Sequence, residues 1–145
     1  MQDFPHHYLV SANAEAEGNV ALKVDDMPQL VSASPAEFGG PGDQWSPEHL
    51  LVASVGDCFI LTFRAIAQAS KLQWDALEVK TEGVLDRVDR VTQFTGFTVR
   101  ATLTVPAGTD EAKAQRLLEK AEGVCLVTAS LKAPCHLEAD IIAAP

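Results

Sequence analysis

Apolar and polar positions change over in short bursts at the start of the chain. Tyr8-Leu9-Val10, Val20-Ala21-Leu22 and Leu30-Val31 are separated by the turn-forming pairs Gly18-Asn19 and Asp25-Asp26, which predicts a small antiparallel meander from Tyr8 to Ala33. Ser34 to Trp45 carries two prolines, three glycines and no periodicity, so it reads as a loop. The pattern then changes to a long apolar run. Ser46-Pro47-Glu48 is a helix start, with serine as N-cap, proline in the first helical position and a carboxylate in the first turn. The helix is predicted to run to about Ser70. Its apolar residues, Leu50, Leu51, Val52, Val55, Phe59, Ile60, Leu61, Phe63 and Ile66, point in every direction around the axis, which predicts a helix buried on all sides.

Leu77–Leu85 and Phe94–Val105 read as two strands, the second alternating from Phe97 to Val105, with Asp86–Arg90 as their polar connection. Asp110 is placed to cap a helix whose Ala114, Leu117, Leu118 and Ala121 recur at helical spacing, and Gly123 is expected to end it. A short helix from Val124 to Leu131 and a last strand from His136 to Ile142 complete the chain. The prediction is a single α+β domain over residues 1–145, with a mostly antiparallel sheet wrapped on a long buried helix. A helix apolar on every face needs more cover than one sheet provides, so a symmetric homodimer is expected.

With 47% hydrophobic and 21% charged residues, the composition is that of a globular protein. A formal charge of −9 disfavours phosphate backbones and anionic lipid, so neither nucleic acid nor a membrane surface is an expected partner. Met1 to Val10 has no secretory pattern, and the apolar stretch Leu50–Phe63, interrupted by Asp57, is shorter than the roughly 20 residues of a membrane span. The expected location is the cytoplasm. The three cysteines, Cys58, Cys125 and Cys135, do not form a disulfide framework, and in a reducing compartment such thiols are catalytic or buried.

The cysteines differ in setting. Cys58 lies mid-helix among apolar neighbours, where a thiol is usually inert, and Asp57 beside it disfavours a thiolate. Cys125 falls in the first turn of a predicted helix, whose amides and dipole lower a thiol pKa, and by local physics it is the better thiolate. Cys135, between Pro134 and His136 at a strand start, reads as structural. No Cys-x-x-Cys or His-x-x-x-His spacing supports a metal site, and no Gly-Lys-Ser/Thr follows the glycine-rich loop to hold a nucleotide, so no cofactor or metal is expected. Trp45 and Trp74 flank the long helix and read as packing residues.

The run Ser46-Pro47-Glu48-His49-Leu50-Leu51-Val52-Ala53-Ser54-Val55-Gly56-Asp57-Cys58-Phe59 resembles the Ser/Asn-Pro-Glu…Cys-Phe helix of the OsmC/Ohr family, with the family's ten-residue spacing from Glu48 to Cys58. Ala121-Glu122-Gly123-Val124-Cys125 resembles the segment in which that family keeps its second cysteine, and with the order of elements the likeness covers nearly the whole chain. The resemblance implies an intertwined homodimer that reduces organic hydroperoxides. Cys58 would be oxidised to a sulfenic acid and Cys125 would close the disulfide, with Glu48 as a further catalytic residue. It also implies a dithiol reductant such as a lipoylated protein, and an apolar substrate pocket at Leu50, Leu51, Phe59 and Phe38.

Two departures stand out. Residues 1–45 contain no arginine, although the family's peroxidases carry one there to activate the cysteine and pair with the glutamate; Lys23, His6, His7 and Arg64 are the candidate substitutes. Asp57 stands where the family usually has a small neutral residue. A straight helix also puts Glu48 about 15 Å from Cys58. Two other classes stay open: a hot-dog-like thioesterase with Asp57 or Glu48 as base, and a non-catalytic binder of an apolar ligand.

Overall fold

The computed structural model describes every residue from Met1 to Pro145. It forms two compact units, residues 1–50 and 51–145.

The first unit is built on a three-stranded meander, β1 (Ser11–Asn13), β2 (Val20–Lys23) and β3 (Leu30–Ser32), antiparallel in the order β1-β2-β3. Gly18, at φ 94°, and Asp26, at φ 63°, occupy its two connections; aspartate tolerates the left-handed region better than most residues. The first strand begins later than the pattern predicts. Ser11 already pairs with Lys23 at the end of β2, so Tyr8-Leu9-Val10 has no β2 residue to pair with and is exposed. The predicted loop contains one 3-10 turn, Ala36–Phe38. Ser46 caps the next helix as expected: its buried hydroxyl accepts from the His49 N–H at 3.1 Å and lies 2.6 Å from His49 Nδ1.

That helix, α1, spans Pro47–Ala69, and it is long enough to cross a membrane by length and composition. Core helices pass the same test, and within the second unit α1 packs one stripe, Val55, Phe59, Phe63 and Ala67, into the core. It ends on a Schellman turn. Lys71 takes the left-handed conformation at φ 56°, with Lys71 N–H donating to the Gln68 carbonyl at 3.2 Å and Leu72 N–H to the Ala67 carbonyl at 2.9 Å.

The sheet of the second unit has the order β4 (Ala76–Val88), β5 (Val91–Val105), β6 (Cys135–Ala143). Both hairpin strands are longer than predicted, because the predicted polar connection is itself mostly strand. Only Asp89 and Arg90, at φ 50° and 69°, form the turn. Two successive left-handed residues are the geometry of a two-residue type I′ hairpin, whose twist matches that of the strands. β4 and β5 are antiparallel, but β5 and β6 are parallel, from Phe97↔Cys135 to Val105↔Ala143. A parallel pair needs a crossover, supplied by α2 (Glu111–Val124) and α3 (Leu126–Ala129). Asp110 caps α2, accepting from Lys113 N–H at 3.0 Å. Gly123 does not end this helix, which continues to Val124 and stops where Cys125 turns extended at φ −62°, ψ 118°.

The alternation of β5 is borne out. Phe97, Val99, Ala101, Leu103 and Val105 are at most 2% exposed and form one core with α1 and with Ala114, Leu118 and Ala121 of α2. On the other face Arg100 reaches across to Glu138 at 3.0 Å and Glu82 at 3.3 Å. In the chain itself α1 is not buried all round: Ala53, Asp57, Leu61, Arg64, Ala65 and Gln68 are exposed on the side away from its core stripe.

Gly56 and Gly83 allow the close approach of helix and sheet. A Cβ at Gly56 would lie 2.6 Å from Thr81 Oγ1 and 3.5 Å from Val79 Cγ1, and one at Gly83 would lie 2.7 Å from Val52 Cγ2. Gly56→Leu is therefore expected to destabilise by about 1–3 kcal/mol or more, by pushing α1 off β4. Gly56→Ala should cost much less, because the Thr81 hydroxyl can rotate away. Urea unfolding of the two variants checks this; equal midpoints would mean that the contact yields freely.

Candidate active site

Cys58 lies on the flank of α1, between its core stripe and its exposed stripe, and is half-buried. One helical turn further on, Thr62 places Oγ1 3.8 Å from the sulfur. Taken alone this is the unremarkable mid-helix thiol that the sequence suggests; what changes it comes from far along the chain.

After α2 the chain makes a single extended step at Cys125 and starts again as α3. The first N–H groups of a helix have no partner inside it. The N–H groups of Val127 and Leu126 at the start of α3, and Cys125 before it, are among the groups that favour the Cys58 thiolate. Burial works against the Cys58 thiolate. It is outweighed by the hydrogen bonds from Val127 N–H, Cys125, Thr62 and Leu126 N–H, and the Cys58 pKa falls below its ordinary value. The helix start that the sequence reading assigned to Cys125 is present, and its first amides favour the thiolate of Cys58. Cys125 is the N-cap, only 2% exposed, with its sulfur beside that of Cys58.

Cys135, the first residue of β6, is pushed up to about 11 by burial and then by the negative charge of Glu122. It stays a thiol at neutral pH. The geometry thus offers one favoured thiolate, a second thiol against it and a third held protonated. A thiolate of this kind can attack a peroxide oxygen, and the neighbouring thiol can condense with the resulting sulfenic acid.

The other predicted site residues fall in different places. Leu51 is half-buried against the core, and Phe59 lies within it at 1% exposure, so a ligand reaches Phe59 only through the groups that cover it. Phe38 and Leu50 belong to the first unit, Phe38 exposed and Leu50 half-buried. Glu48, in the first turn of α1, has its Oε2 buried without a hydrogen-bond partner. Asp57 is exposed, unlike the sheltered carboxylate of an acyl hydrolase. An open cleft of 460 Å³ at the other end of α1 is lined by Arg64, Gln68, Trp74 and Asp75 among others, and by none of the cysteines. Sequence reasoning named Thr62 only as a helical neighbour of Cys58. The amides of Leu126 and Val127 it did not connect to Cys58 at all.

Residues 40–140 match the family model described as OsmC-like protein. An organic hydroperoxide resistance protein of Xanthomonas axonopodis pv. citri is 32% identical over 125 residues, covering 83% of this chain and 86% of that protein. The uncharacterized protein YmaD of Bacillus subtilis is 24% identical over 139 residues, covering 93% of each. Among solved structures, an OsmC-like protein of unknown function from Vibrio cholerae superposes with a TM-score of 0.81 at 15% identity, covering 92% of this chain and all of that one. The α+β fold is that of these structures, and the chain belongs to the OsmC-like protein family.

Proposed function

We propose that this protein is a thiol peroxidase for organic hydroperoxides. The observation that carries the reading is the lowered pKa of Cys58, favoured by the start of α3 and by Cys125, with Thr62 Oγ1 3.8 Å from its sulfur. In the first step the Cys58 thiolate attacks the terminal oxygen of ROOH. The O–O bond breaks, ROH leaves with one proton, and Cys58 becomes a sulfenic acid. In the second step the Cys125 sulfur attacks Cys58, water leaves, and a disulfide joins the two. A dithiol, of which a lipoylated protein is one kind, then exchanges with that disulfide, restoring both thiols and becoming a disulfide itself. The name of the Xanthomonas relative, organic hydroperoxide resistance protein, supports the substrate class.

Glu48 is the second polar catalytic group in this reading, its unpartnered oxygen free to accept from a cation or from a substrate donor. Leu50, Leu51, Phe59 and Phe38 would provide apolar surface for the alkyl group. The enzyme acts as a homodimer, because the outer face of α1 and the exposed Phe4, Tyr8 and Leu9 leave more apolar surface open than one chain covers. The cytoplasm, with its reducing thiol pool, is the compartment that suits the cycle.

The test is steady-state reduction of cumene hydroperoxide and tert-butyl hydroperoxide against hydrogen peroxide, with a lipoyl dithiol as reductant. Burial of an alkyl group contributes binding energy that hydrogen peroxide lacks, about 0.8 kcal/mol per methylene. kcat/KM for cumene hydroperoxide should therefore exceed that for hydrogen peroxide by roughly tenfold or more. Equal values would remove the apolar pocket, and no turnover of any peroxide would remove the enzyme.

A further inference from the structure

Hydroxyl side chains on helices ordinarily turn back onto the chain and donate to a carbonyl one turn earlier. Ser54 does so to Leu51 at 2.6 Å, Thr128 to Cys125 at 3.2 Å and Ser130 to Leu126 at 2.8 Å. Thr62 does not follow them. The residue four positions earlier is Cys58, and Thr62 Oγ1 meets its sulfur at 3.8 Å in place of a carbonyl.

The groups that act on Cys58 are two amides, a thiol and this hydroxyl, with no carboxylic acid or imidazole among them. They differ in what they can do with a proton. The amides of Leu126 and Val127 donate but do not accept. The Cys125 thiol is 2% exposed, so an entering peroxide does not meet it first. Thr62 is half-buried, as Cys58 is, and a hydroxyl is donor and acceptor at once. The first step of the cycle needs such a group. When the Cys58 thiolate takes the terminal oxygen of ROOH, the other oxygen departs as a strongly basic alkoxide unless a proton reaches it.

We propose that Thr62 is a catalytic residue that relays this proton: its hydroxyl donates to the departing RO oxygen while it accepts the proton of the oxygen that bonds to Cys58. The relay rests on the peroxidase function proposed above and deepens it. An S–O bond forms, and the O–O bond breaks with its electron pair going to the RO oxygen. The products are ROH, an intact threonine and a Cys58 sulfenate, which takes a proton from water to become the sulfenic acid. The sulfur loses two electrons and the peroxide gains them. A threonine hydroxyl is too weak an acid to give up its proton outright, so donation and acceptance occur together.

The choice of leaving group separates a relay from a group that only steadies the thiolate. Acetate leaves peracetic acid, and iodide leaves iodoacetamide, without needing a proton, whereas the alkoxide of cumene hydroperoxide needs one. First-turnover rates are measured by stopped flow, at a pH where Cys58 is fully ionised in each variant. Thr62→Val keeps the side-chain shape and removes the hydroxyl, so cumene hydroperoxide should react roughly a hundredfold more slowly. Peracetic acid and iodoacetamide should react as fast or slightly faster, because a less stabilised thiolate is the better nucleophile. Thr62→Ser should restore most of the cumene hydroperoxide rate. In the parent, which needs no variant to fold, heavy water should slow the cumene hydroperoxide step and leave the peracetic acid step unchanged. A Thr62→Val variant as fast as the parent with cumene hydroperoxide, or slowed alike with every reagent, would overturn the relay, as would equal heavy-water effects on the two peroxides. In each of these cases the peroxidase reading stands. A parent that consumes neither peroxide, while iodoacetamide still alkylates Cys58, would overturn that reading and the relay with it.

Discussion

Cys58→Ser is expected to abolish peroxide turnover, whereas Cys125→Ser should still consume about one equivalent of peroxide per site and then stop. The asymmetry follows from the geometry. The start of α3 favours the thiolate of Cys58, and a serine there leaves no thiolate to stabilise. Loss of Cys125 removes one donor but leaves both backbone N–H groups in place. The stalled form should be a Cys58 sulfenic acid prone to overoxidation, detectable by dimedone labelling and peptide mass. In the parent, one equivalent of peroxide should give a Cys58–Cys125 disulfide with Cys135 reduced. A sulfenic acid trapped on Cys125 in Cys58→Ser would reverse the roles. The pH dependence has a definite sign. Because the Cys58 pKa is lowered, alkylation and peroxide attack persist at pH values where an ordinary thiol is protonated, and decline only as pH falls through the lowered value. Cys135, at about 11, remains silent throughout the neutral range. By linkage, the stability that Cys58 contributes is fully present above its unfolded-state pKa and is lost as pH falls through the folded one.

Phe63→Ala is expected to cost about 3–5 kcal/mol, a large share of the roughly 5–15 kcal/mol that holds a domain folded. Phe63 is fully buried on the core stripe of α1, with its ring edge-on to Trp74 at 5.5 Å between centroids. Alanine removes the transfer energy of the ring and leaves a cavity between rigid walls. The denaturation midpoint in urea should fall steeply with little change in slope. Leu61→Ala, by contrast, should change the unfolding of the isolated chain little, since that side chain is exposed. A Phe63→Ala variant as stable as the parent would mean that β5 and Trp74 close over the gap.

What could be read from the sequence was what depends on neighbours. The caps at Ser46 and Asp110 are encoded within four residues, and the inward positions of β5 in a period of two, so both were legible. The hairpin connection was placed at Asp86–Arg90, but its tight two-residue form was not legible, because Asp89-Arg90 carries no glycine although its conformation is the one that glycine usually provides. The parallel pairing of β5 with β6 could not be read from periodicity, since antiparallel and parallel strands alternate alike and only the crossover decides. The site was half legible. Two cysteines in a recognisable order pointed to each other, but the amides that favour one of them belong to a helix of four residues, more than sixty positions from Cys58. Local electrostatics assigned those amides to the nearest thiol in the chain, whereas folding delivers them to the nearest thiol in space.

The donors reach Cys58 only through the crossover that leads from β5 into β6. During synthesis α1 emerges long before α3, and β6, which closes the sheet beside β5, follows α3. A nascent or unfolded chain therefore carries an unremarkable thiol at Cys58, with no amides to favour its ionisation and no second thiol beside it. Reactivity switches on when the C-terminal third docks. The rate at which Cys58 reacts with a small electrophile is therefore expected to rise as the chain folds.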